Sequence, residues 1–521
     1  MMVRPGLVLA CCALLVLALS SLRGGDALSL RPTKELASRQ IEATEPPREV
    51  THLPGYSGEF RSKHLTGYIN VDKDHGKHMF YYVVQSEGSV KNDPIILWLT
   101  GGPGCSGIDA FIYEHGPFSF GFSADGSDVE LTENAYAWSK SATMIYVDSP
   151  VGTGLSYSDT KTDYTTNDTA TVRDLAAFMQ GVLAAMPELS TQDFYIAGES
   201  YAGVYAPMLA AEILARNKEA AAATAAGGGS SSSSGGGGSS GTGDGWAHIH
   251  LQGYMLGNGV TDDMAELNGQ VEFAYGMGFI DPTTYEGLVA ACQGSYWNAP
   301  HGSECATRLE AAWKIFYWVN KYDVLTECHM KTNTGAAPGG KAGVRGPGSG
   351  HAAGGRHRSA GMLQHTVQCG DRSAALQWLA MPEVRTALGA VSVDRVAWEP
   401  CSDILDYYVP FPINMVALHR QLLGDGLRAL IYSGDHDMVV PFTSTRAWVY
   451  GMDLRVEQPY DAWLIDRQVA GFVSRFSLGH SASPPGGGLT FATVKGAGHM
   501  VPTSNPHEAL ELISRWMQSK L

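Results

Sequence analysis

The chain has 521 residues, of which 44% are hydrophobic and 17% charged. That is ample for a large buried core with one elaborated insertion or second domain. A net charge of −16 argues against a nucleic-acid partner, because phosphate backbones are held by Lys and Arg.

At the N-terminus, Arg4 precedes an apolar run from Leu7 to Leu19, and Gly25 and Ala27 offer small residues for cleavage. This layout predicts a secretory signal peptide over residues 1–27. The run is too short for a membrane span, which needs ~18 or more apolar residues. No later segment reaches that length, so no membrane association is expected. Cys11 and Cys12 fall in the signal. The rest are Cys105, Cys292, Cys305, Cys328, Cys369 and Cys401. In an oxidising compartment they predict three disulfides, whose pairing the spacing alone leaves open. No CxxC spacing suggests a metal site, and no cofactor is expected. The sequon Asn167-Asp168-Thr169 predicts a glycosylated surface loop.

Short β-type runs follow in chain order, each ending at a Gly-rich or acidic turn. Residues 94–99 (PIILWL) run into GGPGCSG, and 143–147 (TMIYV) into DSPVGTG. Residues 194–197 run into GESYAG, 250–256 into GNGV, 429–433 into GDHD and 490–494 into KGAGH. Helical patterns lie between several of them. One spans 174–186, with Leu175, Phe178, Met179 and Val182 on one face. Another spans 508–521, with Leu512, Ile513, Trp516 and Met517. The alternation predicts an α/β fold with a parallel sheet. Sites in such sheets form beyond the carboxyl ends of the strands, where these turns lie. Two segments break the pattern. Residues 220–245 are almost only Ala, Gly, Ser and Thr and are expected to form a disordered loop. Residues 331–367 are Gly-rich and basic, which suggests a solvated, protease-sensitive linker.

The serine of a nucleophile elbow sits between a strand and a helix in G-x-S-x-G. The literal match at Ser239 lies in the low-complexity tract, and Ser481 is followed at once by Pro484 and Pro485. Neither has a helix to support it. Ser200, in GESYAG, has an apolar strand before it and small neighbours in Gly198 and Ala202. Pro207 suggests that regular helix restarts there. A nucleophilic serine needs a base, and the base an orienting acid, in the chain order Ser, Asp or Glu, His. His499 in GAGHM is the candidate base. Asp437 is the candidate acid, lying further past its strand end than Asp435.

At these residues the chain resembles the serine carboxypeptidases, and among them the plant-type subgroup. The resemblance runs from about Val50 to the C-terminus, apart from the two low-complexity inserts. It rests on WLTGGPGCSG, DSPVGTGLSYS, FYIAGESYAGVYAP, LGNGV, SGDHDMVVPF and KGAGHMVP. It implies an α/β-hydrolase fold with a helical cap insertion: core over 28–259 and 381–521, insertion over 260–380. It implies the triad Ser200, Asp437 and His499, and an oxyanion hole from the N–H groups of Gly102 and Tyr201. It implies that Thr100, Gly101, Glu114 and Glu199 bind a substrate carboxylate. Two close carboxyls can share a proton and donate it in a hydrogen bond, which implies peptidase activity at acidic pH. It further implies disulfides Cys105–Cys401, Cys292–Cys305 and Cys328–Cys369, and excision around 331–367. Trp313, Phe316, Tyr317 and Trp318 are candidates for a side-chain pocket or, more ordinarily, for cap packing.

One position departs from the family pattern. Asn usually stands where this chain has Thr100, and a hydroxyl offers one donor hydrogen where an amide offers two. Thr also occurs there in plant-type relatives that transfer acyl groups from sugar esters to alcohols, so acyl transfer is the competing reading. The expected substrate is a peptide or protein C-terminus, met along the secretory route, in a vacuole or lysosome, or outside the cell. Whether the chain forms a homodimer is left open.

Overall fold

The computed structural model describes residues 42–43, 45–226, 246–316, 319–327, 372–479 and 488–521. The signal segment, the 331–367 linker, Ser239, Ser481, Tyr317, Trp318 and the Cys328–Cys369 pair all lie outside those residues.

The short apolar runs become the middle of a 13-stranded sheet. Ile95–Leu99 pairs with Thr143–Val147 on one side and Phe194–Glu199 on the other, both parallel. Leu251–Gly257, Arg428–Gly434 and Gly488–Val494 continue the parallel order. Antiparallel strands extend both flanks, Lys77–Val84 on one and Gln468–Ser477 on the other. Ile95–Leu99, Thr143–Val147 and Phe194–Glu199 are buried from end to end. That burial is why they read as continuous apolar runs rather than alternating ones. Helix Asp168–Ala185 buries Leu175, Phe178, Met179 and Val182, and Pro506–Met517 buries Leu512, Ile513 and Trp516.

The cap is built from helices Asp263–Gly276, Pro282–Cys292 and Glu304–Ile315. With Met438 and Phe442 from beyond strand Arg428–Gly434, they close a small core around Phe273, Leu288, Leu309 and Phe316, stapled by Cys292–Cys305. Trp313 packs against this cluster too, and Phe316 is 2% exposed. Both take part in cap packing. Helix Ser373–Ala380, which falls within the 260–380 range, packs instead into the large core through Trp378 and Leu379.

Three local expectations are corrected. Helix Ala202–Ala226 runs into the stretch expected to be a disordered loop, because residues 220–226 are mostly Ala, the strongest helix former. Pro207 lies inside that helix, not at its start, so the helix forgoes one i→i−4 bond there. Asn167 is exposed but not in a loop. It ends strand Thr165–Asn167 and caps helix Asp168–Ala185, its side chain accepting from the Ala170 N–H at 3.0 Å.

Candidate active site

Ser200 follows strand Phe194–Glu199 at φ 58°, a left-handed conformation that costs a non-Gly residue energy. The surroundings enforce it. Its N–H donates to Gly257 O at 3.1 Å, and its carbonyl accepts from Val260 and Gly203 at 2.8 and 2.9 Å. A Cβ on Gly198 would lie 2.5 Å from Leu99 O and 2.6 Å from Ala202 Cβ. Gly198 is therefore obligatory, whereas Ala202 fits, which is why the motif tolerates Ala at its last position.

From Ser200, hydrogen bonds step across the neighbouring strand ends. Asn258, next to Gly257, donates through Nδ2 to Asp437 Oδ2 at 2.8 Å, and its Oδ1 accepts from the Gly434 N–H at 3.0 Å. Asp437 Oδ2 also accepts from the Val440 N–H at 3.1 Å, and Oδ1 from the Val439 N–H at 2.7 Å. His499 Nδ1 lies 2.7 Å from Asp437 Oδ2, with both side chains buried. Taking Nδ1 as the protonated nitrogen leaves Nε2 as the basic one. Nε2 is buried and has no partner among the described residues. Asp435 instead accepts from the Gly496 N–H at 2.7 Å, which holds the turn before His499.

The cap reaches this end of the site. The His499 N–H donates to Tyr322 O at 2.6 Å, and the Tyr322 ring stands edge-on to the imidazole at 5.1 Å. Met438 N–H donates to Lys321 O at 2.8 Å. A Cβ on Gly498 would sit 2.5 Å from Tyr322 O, so glycine there admits the cap backbone.

On the other side of Ser200 lie Glu199 and Glu114, 4% and 6% exposed and hydrogen-bonded to each other. Burial first, and the neighbouring negative charges next, push both carboxyls above the ordinary glutamate range. Glu114 Oε2 has no hydrogen-bond partner among the described residues. Glu114 caps the end of helix Gly107–Tyr113, whose start is fixed by Ser106 accepting from the Ile108 N–H. Thr100 Oγ1 accepts from the Trp98 indole N–H at 3.0 Å. The single hydroxyl hydrogen of Thr100 is thereby left to act as a donor. A Cβ on Gly101 would fall 2.6 Å from both Ser200 Cβ and Tyr201 N, so this turn lies against the elbow.

Gly102 adopts φ 112° in the same turn, a conformation suited to glycine. The turn is tied down by Cys105–Cys401 and by Ser106 N–H donating to Pro400 O at 2.8 Å. Tyr201 is clamped from behind: its hydroxyl donates to Asp168 Oδ1 at 3.0 Å, and the Tyr407 hydroxyl to the same oxygen at 2.9 Å. Burial pushes the Asp168 carboxyl up to about 6.

The structure thus gathers Thr100, Gly101, Gly102, Glu114, Glu199, Ser200, Tyr201, Asp437 and His499 about one end of the sheet. Sequence reasoning gave no role to Asn258, Tyr322 or Asp168. Asn258 stood in the quoted LGNGV block, and its place after a strand end was the available signal. Asp168 was hidden in the sequon, and Tyr322 in a cap segment without a motif. Among the described residues no cluster of His, Cys, Asp or Glu could hold a metal ion.

A sheet with a parallel centre, a strained serine between strand and helix, and an Asp–His pair in the loops after later strands define an α/β-hydrolase. A family model described as serine carboxypeptidase matches residues 54–519. Serine carboxypeptidase 1 of Hordeum vulgare is 38% identical over 500 residues, covering 90% of this chain and 92% of that protein. Serine carboxypeptidase-like 20 of Arabidopsis thaliana is 37% identical, with 90% and 92% covered. The crystal structure of Kex1(Δ)p, a prohormone-processing carboxypeptidase from Saccharomyces cerevisiae, superposes with a TM-score of 0.66 at 19% identity, covering 92% and 96% of the two chains. The chain belongs to the serine carboxypeptidase family and shares its hydrolase fold. The disulfides Cys105–Cys401 and Cys292–Cys305, implied by the resemblance, are formed.

Proposed function

We propose that this chain removes C-terminal amino acids from peptides at acidic pH through an acyl-enzyme. Ser200 attacks the last peptide bond. His499 Nε2 accepts its proton and returns it to the leaving amine, while Asp437 holds the imidazole through Nδ1. The N–H groups of Gly102 and Tyr201 receive the developing oxyanion. The observation that carries the exopeptidase reading is the buried, hydrogen-bonded Glu114–Glu199 pair directly beside the nucleophile. A buried pair that keeps a proton can donate to the substrate's free carboxylate, with the Thr100 hydroxyl beside it.

The pH dependence follows from the sign of the shift. Both carboxyls bind protons more tightly than an isolated Glu, so the pair stays protonated through the acidic range. As pH rises the proton leaves, and two anions then face the substrate's carboxylate. Binding of the free-acid substrate therefore weakens with rising pH. The disulfides, the exposed sequon asparagine and the signal-like start support a secretory or vacuolar route, and an excised 331–367 linker belongs to the same reading.

The test is release of the C-terminal amino acid from a blocked dipeptide at about pH 5, within the range where buried carboxyls act as acids. Ser200→Ala should cut kcat by about a millionfold. No release by the wild type, with ester formation from an activated sugar ester and an alcohol instead, would replace this reading with the acyltransferase that Thr100 allows.

A further inference from the structure

A third carboxyl and one guanidinium lie on and against the helix that Glu114 caps, within electrostatic reach of the Glu114–Glu199 pair. Asp109, on the same helix as Tyr113, is buried, and its Oδ2 lies 3.1 Å from Arg372 Nη2. Its Oδ1 has no hydrogen-bond partner among the described residues. The Arg372 guanidinium stacks over the Tyr113 ring at 4.4 Å from the centroid. Tyr113 is itself held, its hydroxyl accepting from the Ala375 N–H at 3.0 Å and its carbonyl from Thr503 Oγ1 at 3.0 Å. Arg372 thus reaches the residue next to Glu114 from helix Ser373–Ala380, which it precedes, and Asp109 lies on the helix that Glu114 caps. A surface ion pair would be worth little. This pair is largely withdrawn from water, beside two further acids, where each charge acts on its neighbours at low screening.

We propose that Asp109 and Arg372 are positioning residues for the proton: a charge couple that sets how firmly Glu114 and Glu199 hold it, and so the pH up to which a free carboxylate is bound. The proposal rests on the reading of that pair as the carboxylate site. Asp109 acts on both glutamates and favours their protonated forms, while Arg372 opposes it at Glu114. The other charged or titratable groups facing the pair are Asp437, on the Glu199 side, and the phenols of Tyr146 and Tyr432. His115, next to Glu114, is stacked on Trp138, and burial holds it neutral by pushing its imidazole down to about 3. Among the described residues, Arg372 is the cation that acts on Glu114.

The signs of the two variants are opposite. Asp109→Asn removes an anion and leaves Arg372 facing the glutamates, so the proton leaves at lower pH. Burial raises the Asp109 carboxyl and Arg372 opposes that, as it does at Glu114, so Arg372→Gln removes the cation that favours the ionised acids and the proton is held to higher pH. A merely structural pair would weaken activity in both variants without moving the profile in opposite directions.

The experiment measures KM against pH for a blocked dipeptide with a free C-terminal carboxylate and for its C-terminal amide. In the wild type, KM for the acid rises above a midpoint pH while that for the amide does not. Lack of that limb would remove the carboxylate-site reading itself, before the variants are considered. With the limb present, Asp109→Asn moves the midpoint down and Arg372→Gln moves it up, each by roughly one pH unit. The double variant returns near the wild-type value. Arg372→Lys, which keeps the charge and loses the stacking plane, serves where a neutral variant does not fold, and leaves the midpoint in place. Midpoints that stay fixed in the neutral variants or move the same way in both, or an Arg372→Lys midpoint displaced like that of Arg372→Gln, overturn the proposal.

Discussion

Asp437 and Glu114 are buried carboxyl groups on opposite sides of Ser200, 0% and 6% exposed. Four donors converge on Asp437: His499 Nδ1, Asn258 Nδ2 and the N–H groups of Val439 and Val440. Glu114 is bonded to another acid, and its Oε2 finds no partner among the described residues. Burial alone penalises a carboxylate, and donors offset that penalty. The donor-rich side is built to hold an imidazole in one orientation. The donor-poor side is built to keep a proton. Two acids of the same chemistry thus sit in different environments set by the groups around them.

The largest effects are expected on the donor-rich side. Asp437→Asn presents an amide to His499 and lets the wrong tautomer form, which lowers kcat by about ten-thousandfold. KM and the folded state should persist, which steady-state kinetics and circular dichroism would check. Asn258→Ala removes one donor and leaves the imidazole pair intact. A hydrogen bond to a charged group is worth about 1.5–3 kcal/mol, so kcat should fall by about ten- to a hundredfold. An unchanged kcat would mean that Val439 and Val440 suffice to hold Asp437.

On the donor-poor side the expected effects lie in KM. Glu199→Gln replaces the titrating member by a permanent donor. KM for the free-acid substrate should rise modestly at acidic pH, because an amide N–H replaces the shorter carboxyl O–H bond to the carboxylate. Its increase toward neutral pH should flatten in the same pH series. Trp98→Phe frees the Thr100 oxygen to turn, and KM should rise by only about two- to fivefold, the loss of one neutral hydrogen bond. Equal KM shifts for the C-terminal amide would place Thr100 outside carboxylate recognition.

Much of this was legible before the fold was seen. Buried parallel strands announce themselves as apolar runs, and the turns after most of them carry a candidate site residue, so Ser200, Asp437 and His499 could be placed in order. Glu199 and Glu114 came from the resemblance, since two glutamates far apart in sequence give no sign of touching. Asn258 has no signature of its own, because its role depends on strand Leu251–Gly257 lying beside Arg428–Gly434. Arg372 was harder still. It follows the Gly-rich basic segment, and it meets Asp109 only through the packing of helix Ser373–Ala380 onto the large core. The helical 220–226 stretch was misjudged because low complexity was read as disorder, although alanine favours helix strongly.

The central claim is that a proton shared by Glu114 and Glu199 recognises the substrate's carboxylate. The measurement that tests it most directly is the ratio of kcat/KM for a blocked dipeptide to that for its C-terminal amide, followed from acidic to neutral pH. The ratio should stand well above one in acid and fall by about tenfold for each pH unit once the shared proton leaves. A ratio that stays constant across the range, or rises with pH, would contradict it.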